Sequence, residues 1–373
     1  MSDPASSTTP TAPAPAQAST QAPAAKPEEK FALTSSRHFP EWLARAKASL
    51  AFTTYQAGKL FLIGLKRDGR LAVFERTFAR CMGLGVHPSG RSFALATEYQ
   101  LYRFDNVVPP GGTSGEHDAV FVPHLSHITG DLDIHDVVMP ADGKPVFINT
   151  LFSCIATVGE GASFKPLWRP PFISKLAPED RCHLNGLACE EGRPRYVTVV
   201  ADSDVADGWR DRRATGGMVL DVATGEAVVK GLSMPHSPRL YDERLWVLNS
   251  GAGEFGFVDL EAKRFVPMAF CPGYARGLSF VGPYALIGLS LARENRTFQG
   301  LPLDAALAKH GAEARCGLLV VDIRNGDTVG WVRLEGVVRE LFDVGVFPGV
   351  QNPAAIGFVS DEIKRIISID EGG

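Results

Sequence analysis

Three histidines occupy comparable places in three similar stretches of the chain. His135, His183 and His236 each begin a segment made of an apolar run, a turn and a second apolar run: HDVVMPADGKPVFINT, HLNGLACEEGRPRYVTVV and HSPRLYDERLWVLNS. If each segment is one repeat of a closed array, equivalent positions converge on a common axis. Three neutral imidazoles can hold one metal ion and leave coordination positions open for water or substrate. The pattern therefore predicts a binding site for a divalent transition metal. Zinc, iron, manganese and nickel are all compatible with this ligand set.

A simpler interpretation of the histidines stays open. Each of them could cap a strand and hydrogen-bond to the backbone at the mouth of the fold. His183 also stands two residues before Asn185, which is the residue that the repeat aligns with the start of an inner strand. The three positions are therefore only approximately equivalent.

Acidic residues near these histidines are candidates for acid–base chemistry. Asp133 and Asp136 flank His135, and Glu340 precedes the last apolar segment in VVRELFDVG. A carboxylate next to a metal-bound imidazole can ligate the metal, orient the ring or act as a general base. We expect Asp133 and Glu340 to be the catalytic acids of the site. Glu190 and Glu191 lie in a turn and are expected to be solvated.

Arginines form a second set of candidates, because guanidinium groups bind carboxylate, phosphate or sulfate through paired hydrogen bonds. Arg239 follows His236 in PHSPR, Arg276 lies in GYARG, and Arg293 and Arg296 lie in RENR. Together with Asn185, these residues are predicted to bind a small anionic or peptide substrate. For the RENR pair, surface ion pairing is an equally good explanation.

Short strands dominate the region that must position these residues. From Ala51 onward, runs of four to eight β-branched, aromatic or aliphatic residues alternate with Gly, Asp, Asn and Pro turns, as in KLFLIGL, KRDG and RLAVFERTF. Signals such as Asp142-Gly143 between paired runs are typical of hairpins. Helical spacing appears only at 38–50 and at 301–314. The pattern predicts an all-β protein with a short N-terminal helix.

The spacing of the repeat indicates a β-propeller, since a four-stranded blade takes about 40–50 residues. We predict seven blades, with six as the alternative, and about 26 strands in all. A β-sandwich explains the strands and turns but not the recurring segment. The predicted inner strands begin near Leu50, Met82, His135, Asn185, Ser237, Arg276 and Phe342.

Longer phrases of the sequence resemble a known family. SLAFTTYQAGKLFLIGL, SHITGDLDIHDVV, LWRPPFISKLAPEDRCHLNGLA and RENRTFQGLPLD are similar to a family of bacterial conserved hypothetical proteins of unknown function. The resemblance extends from about residue 32 to the C-terminus. It implies a β-propeller and transfers neither an activity nor a catalytic residue.

The first 31 residues differ in composition from the rest. They consist mainly of Ala, Pro, Ser, Thr and Gln, which cannot bury enough apolar surface to offset the entropy of ordering. We therefore predict a disordered tail over 1–31 and one propeller domain over 32–373. The tail lacks the apolar stretch of a secretory signal.

Composition excludes several classes of function. The net charge is −4 with no basic tract, so nucleic acid is not an expected partner. No apolar run reaches the ~18 residues of a membrane-spanning helix. The six cysteines are scattered without a C-x-x-C pair, as expected of free thiols in a reducing compartment. We expect a cytoplasmic protein.

Two functions from different classes follow from these features. The first is a metal-dependent enzyme with a three-histidine site on the propeller axis and a small-molecule or peptide ligand in the central channel. The second is a non-catalytic recognition module that binds a protein or peptide, because a propeller fold alone does not establish catalysis.

Overall fold

The computed structural model describes residues 31–291 and 299–369. Within these ranges the chain forms 26 strands and two α-helices, numbered here in chain order. Of the predicted tail, only Phe31 falls inside the described residues. Arg293 and Arg296 of the RENR pair lie outside them. None of the described helices is long and apolar enough to cross a membrane.

The strands form six sheets, here called blades 1 to 6, and each blade has four antiparallel strands as its basic unit. Blade 1 contains, from the inside outward, β25 (Val344–Pro348), β2 (Ala48–Thr54), β3 (Lys59–Leu65) and β4 (Leu71–Thr77). Blade 2 contains β5 (Leu84–Val86), β6 (Ser92–Ala96), β7 (Gln100–Asn106) and β8 (Ala119–Ile128), with β26 (Pro353–Ala355) added parallel to β8. Blade 3 contains β9 (Ile134–Val138), β10 (Val146–Asn149), β11 (Cys154–Thr157) and β12 (Lys165–Trp168).

The other three blades follow in chain order. Blade 4 contains β13 (Leu184–Glu190), β14 (Arg193–Val199), β15 (Gly217–Asp221) and β16 (Ala227–Leu232). Blade 5 contains β17 (Pro235–Tyr241), β18 (Arg244–Asn249), β19 (Glu254–Asp259) and β20 (Arg264–Phe270). Blade 6 contains β21 (Tyr274–Val281), β22 (Tyr284–Ser290), β23 (Cys316–Asp322) and β24 (Thr328–Glu335), with β1 (Ala32–Ser35) on its outer edge.

The inner strands β5, β9, β13, β17, β21 and β25 contact one another in a closed ring. The propeller is therefore six-bladed, and the prediction of seven blades is wrong, whereas the six-bladed alternative is confirmed. Leu50 lies in β2, which is the second strand of blade 1, and Phe342 leads into β25, the inner strand of the same blade. Two of the seven predicted segments thus belong to one blade, because its inner strand comes from the far end of the sequence.

Apolar side chains between adjacent blades form the core. Between blades 1 and 2, Phe347 of blade 1 packs against Phe121 of blade 2 at 4.8 Å, and next to them the rings of Phe93 and Phe104, both of blade 2, stack at 4.6 Å. The strands are apolar on both faces because each blade is covered by a neighbouring blade on either side. Burial of such large aromatic side chains holds the blades together.

The two predicted helices are present. Helix α1 (Phe39–Ala46) buries Phe39, Trp42 and Leu43 against blades 1 and 6. It is shorter than the predicted range 38–50, since Lys47 adopts a left-handed conformation and Ala48 begins β2. Helix α2 (Pro302–His310) is capped at its C-terminus by Gly311, which is also left-handed, with φ 56°.

A polar network near the axis joins four inner strands through one guanidinium group. Arg239 on β17 donates to both oxygens of Asp136 on β9, at 2.7 and 3.0 Å. It also donates to the carbonyl oxygens of Leu187 on β13 and Leu278 on β21. Asp136 in turn accepts the Leu187 N–H at 3.0 Å. A buried charge pair with all of these hydrogen bonds fixes the blades relative to one another.

Asp343 extends the network to the remaining two blades. Its carboxylate accepts the N–H of Leu84 on β5 and of Val344 on β25, both at 2.8 Å, and lies 3.8 Å from Arg239. Burial, reinforced by the neighbouring Asp136 carboxylate, raises the pKa of Asp343 to about 7. All six inner strands are thus connected. We call Asp136, Arg239 and Asp343, with the backbone groups that they bind, the axial network.

Replacing Arg239 by Gln should lower the free energy of unfolding by about 3 kcal/mol or more, because Asp136 is left as a buried charge without its partner. Urea denaturation measures the loss. The R239Q/D136N double variant should recover part of it, and R67Q, on an exposed turn, should match the wild type. A loss below about 1 kcal/mol for R239Q would mean that the network contributes little to stability.

Ionisation of Asp343 should lower the stability of the wild-type protein, relative to a variant that cannot ionise there, as the pH rises from 5 to 8. The buried His135 and His236, whose pKa values are lowered, give the opposite slope below about pH 6.5 in both proteins. The pKa of Asp343 in the folded state lies above its ordinary value near 4, so the folded protein retains a proton that the unfolded chain releases. This contribution is complete below the ordinary pKa and is lost as the pH rises through about 7. In Asp343→Asn, which mimics the protonated acid, the urea midpoint should therefore increase relative to that of the wild type as the pH rises from 5 to 8. Equal slopes for the wild type, D343N and the exposed control D211N would contradict this.

Candidate functional site: a buried histidine pocket

A cavity of about 180 Å³ opens at the end of the propeller where the inner strands begin. It combines imidazole, carboxylate, guanidinium and aromatic side chains within a small volume. We call it the axial pocket, and its lining is Tyr55, Asp133, His135, Asp180, His183, Trp209, Arg210, Met234, Arg276 and Phe342.

The three predicted histidines lie together at this end of the molecule. His135 and His236 are each the second residue of their strands, β9 and β17, and His183 immediately precedes β13. The ring centre of His135 lies 4.8 Å from that of His183 and 5.9 Å from that of His236. All three residues are buried. Imidazoles that bind one metal at ~2.1 Å have ring centres about 5 Å apart, so these separations are close to those of a common ligand set.

The offset of His183 has a backbone cause. Its φ is +48°, in the left-handed region that residues with a side chain seldom adopt. This conformation turns the ring into the pocket from a position before the strand. The sequence repeat, which aligns strands, consequently places His183 slightly out of register with the other two.

Hydrogen bonds hold the Nδ1 atom of His135. The Thr150 hydroxyl donates to the Leu184 carbonyl oxygen at 2.7 Å, so its oxygen accepts from Nδ1 of His135, which lies 2.8 Å away. The same Nδ1–H group lies 2.9 Å from the carbonyl oxygen of Asp133. His135 is therefore the Nδ1–H tautomer, and its Nε2 carries the lone pair.

His236 is held at Nδ1 by the next residue in the chain. Its Nδ1 lies 3.0 Å from the hydroxyl of Ser237, whose oxygen also accepts the Gly277 N–H at 3.1 Å. Among the described residues, nothing hydrogen-bonds to the buried Nε2 of His236. A buried polar atom of this kind is uncommon in native structures and often marks a ligand position.

A carboxylate that the sequence analysis missed fixes His183. Asp180 accepts hydrogen bonds from His183 Nδ1 and from Trp209 Nε1, both at 2.9 Å. The Trp209 ring also stacks on His183 at 4.2 Å. Burial opposes ionisation, yet the interactions with His183 and Trp209 keep the pKa of Asp180 below its ordinary value. The only signal in the sequence is the spacing of three residues in DRCH, which is uninformative without the turn that joins them.

Desolvation keeps the other two histidines neutral. Burial lowers the pKa of His135 to about 4 and lowers the pKa of His236 well below its ordinary value. The positive charge of Arg276 adds to the effect on His236. A neutral imidazole is the form that binds metals and accepts protons.

Arg276 and the predicted acids surround the histidines. The Arg276 guanidinium lies over the rings of Phe342 and Tyr274 at 5.0 and 5.1 Å, and one of its nitrogens is 3.9 Å from the Glu340 carboxylate. The carboxylate of Asp133 lines the pocket, 3.6 Å from Nδ1 of His135. Asp133 thus faces the cavity directly, whereas Glu340 is connected to it through Arg276.

The other predicted substrate-binding residues lie elsewhere. Arg239 belongs to the axial network and lines the cavity at the opposite end of the propeller, away from the histidines. Asn185 accepts a hydrogen bond from Thr198 Oγ1 at 2.7 Å, within blade 4. Asp136 is likewise committed to Arg239. Arg293 and Arg296 lie outside the described residues.

The described parts of the chain contain no group of three or more His, Cys, Asp or Glu side chains already arranged to hold a metal ion. The histidine rings are close, but they are not in a closed ligand geometry. The six cysteines are free, and five of them are buried.

Together, the ring of six inner strands and the pocket at their first residues define a six-bladed β-propeller with a buried, histidine-rich axial pocket. The chain belongs to the family described as Domain of unknown function (DUF4915), whose model matches residues 37–356. The resemblance found in the sequence is thereby confirmed. No curated protein matches the sequence.

Two solved structures are similar to the chain. A chain in the crystal structure of a nidogen/laminin complex is 10% identical, with a TM-score of 0.49 over 81% of this chain and 99% of that chain. A protein of unknown function from Bacteroides caccae is 13% identical, with a TM-score of 0.47 over 80% of this chain and 98% of that chain. At these values, neither similarity carries an argument about what the chain does.

Asp180→Ala should change the tautomer of His183. In the wild type, the ionised Asp180 requires His183 to donate from Nδ1, which leaves the lone pair on Nε2. Without the carboxylate, the proton should move to Nε2 in a large part of the molecules. Nitrogen NMR of ¹⁵N-histidine-labelled protein distinguishes the two forms, and His135 is an internal control that should not change. A wild-type His183 already protonated on Nε2 would contradict the assignment.

Proposed function

We propose that the axial pocket binds one divalent transition metal ion through Nε2 of His135, His183 and His236, and that the protein is a metal-dependent enzyme for a small anionic substrate. The observation that carries the proposal is the clustering of three buried rings, each with a hydrogen-bonding partner at Nδ1. Metal-binding histidines almost always use the second ring nitrogen in this way, since it fixes the tautomer and the ring orientation.

Two further observations support the metal. His236 Nε2 is a buried nitrogen with no partner among the described residues, and a metal ion would satisfy it. Burial also keeps His135 and His236 unprotonated near neutral pH, so a metal ion does not have to displace a proton from either ring. Since the rings are not yet in ligand geometry, binding requires them to close on the ion by small side-chain rotations.

The residues around the histidines indicate how a substrate would be handled. A three-histidine metal ion leaves positions at which water is activated or an oxygen of the substrate is polarised. Asp133, on the wall of the pocket, is the proposed general base, and Arg276 the proposed partner of the substrate anion. A volume of 180 Å³ holds about six water molecules. This size favours a small molecule over a peptide.

Wild-type protein treated with a chelator and then incubated with Zn²⁺ or Co²⁺ should retain about one metal ion per chain after desalting. A triple variant with alanine at His135, His183 and His236 should retain none, because all three ligands are lost. Elemental analysis measures the metal content. The visible spectrum of the Co²⁺ form reports whether nitrogen ligands surround the ion.

A matched control replaces three histidines far from the axis: His38 next to α1, and His124 and His127 on β8. This H38A/H124A/H127A variant should bind metal like the wild type. Metal content near zero in both the wild type and the control would remove the proposal. Equal retention by the axial triple variant would show that the metal binds elsewhere.

A further inference from the structure

Blade 6 carries a second cleft at the same end of the propeller. A cavity of about 250 Å³ lies between Arg315, Arg333 and Arg339, and an adjoining cavity of about 200 Å³ shares Arg315 and Arg333. The floor of the adjoining cavity includes the half-buried Trp331. We call this region the arginine cleft.

The arginine cleft has an excess of positive charge in a chain whose net charge is −4. Three arginines and one carboxylate, that of Glu335, line it, and Glu335 pairs with Arg333 at 3.1 Å. No carboxylate among the described residues pairs with Arg315 or Arg339, and both side chains are exposed. Several arginines around one cavity, with fewer carboxylates than guanidinium groups, favour the binding of an anion.

The backbone holds two of these arginines in place. The N–H of Arg315 donates to the Pro272 carbonyl oxygen at 2.9 Å, and the carbonyl oxygen of Arg339 accepts the Leu291 N–H at 2.9 Å. Arg333 lies near the end of β24, where its neighbour Leu334 pairs with Cys316, the residue after Arg315. The three arginines therefore stand on ordered backbone around one cavity.

Strand register places the arginine cleft next to the axial pocket. Tyr274, at the start of β21, pairs with Ser290, while Cys316 is the first residue of β23, so these strand ends share one end of blade 6. Arg276 is only two residues into β21. Arg339 is exposed, whereas the next residue, Glu340, is buried and lies 3.9 Å from Arg276. A ligand in the cleft would thus sit beside the mouth of the axial pocket.

We propose that Arg315, Arg333 and Arg339 form a binding site for a multiply charged oxyanion, such as the phosphate or sulfate group of a larger ligand. Planar guanidinium groups match the oxygens of tetrahedral anions through paired hydrogen bonds. The half-buried Trp331 beside them would contact an apolar part of the same ligand. The site does not depend on a metal ion, so it stands or falls separately from the proposed metal-dependent activity.

Isothermal titration at low ionic strength, with inorganic pyrophosphate in one arm and sulfate in the other, tests the site. The full-length wild type should bind at least one of the two anions, and the arm that binds more tightly distinguishes phosphate from sulfate chemistry. The R315Q/R339Q double variant should bind at least about tenfold more weakly, because two of the three guanidinium groups are gone. Its thermal midpoint should stay unchanged, as both side chains are exposed.

The matched control is R67Q/R193Q, which removes two exposed arginines from turns at the opposite end of the propeller. It has the same net charge as R315Q/R339Q and should retain wild-type affinity. Three results would overturn the proposal: no anion binding by the wild type in the millimolar range, equal weakening in both double variants, or unchanged affinity in R315Q/R339Q. If R276Q abolishes binding while R315Q/R339Q retains it, the anion occupies the axial pocket instead, and the cleft is not the site.

Discussion

Closure of the ring of blades is the constraint on which the rest of the structure depends. Blade 1 joins the two ends of the folded chain, since β25 pairs with β2 through partners such as Val346 and Leu50. The axial network then connects the inner strands of all six blades through one guanidinium and two carboxylate groups. Because inner strands are fixed at both their edges and their centre, the first residue of each strand has a defined position around the axis.

The axial pocket is a consequence of that arrangement. Histidines near the first residues of β9, β13 and β17 come from three consecutive blades and therefore meet at one end of the channel. Each ring is then fixed by a different partner: the Thr150 hydroxyl, the Asp180 carboxylate and the Ser237 hydroxyl. The three partners differ, but in each case the result is a buried ring whose Nδ1 has a hydrogen-bonding partner. Preorganisation of this kind lowers the entropic cost of binding a ligand.

The sequence predicts those features that depend on local pattern and regular spacing. Repeated strand–turn–strand segments predict a propeller, and the histidine spacing brings His135, His183 and His236 to one end of it. The number of blades is harder to predict, because the inner strand of blade 1 is separated from its partner β2 by almost the whole chain. A count based on spacing alone therefore assigns the segments at Leu50 and Phe342 to two different blades, although both belong to blade 1.

Side-chain roles are harder to predict than positions, because they depend on partners distant in sequence. Arg239 and Arg276 look equivalent as residues of inner strands, but Arg239 meets the buried carboxylate of Asp136 and becomes part of the axial network. Arg276 instead lies over Phe342 beside the histidines. Asp180 was missed because a left-handed turn at Asp180, with φ 41°, and at His183 brings the two side chains together. No periodic pattern encodes such a turn.

The central claim is that three imidazoles from consecutive blades share one metal ion. Anomalous diffraction from crystals soaked in Zn²⁺, with data collected on both sides of the zinc absorption edge, tests it most directly. The account predicts one strong anomalous peak about 2.1 Å from Nε2 of each of the three histidines. A map with no peak in the axial pocket, or with zinc bound only to surface histidines, would contradict it.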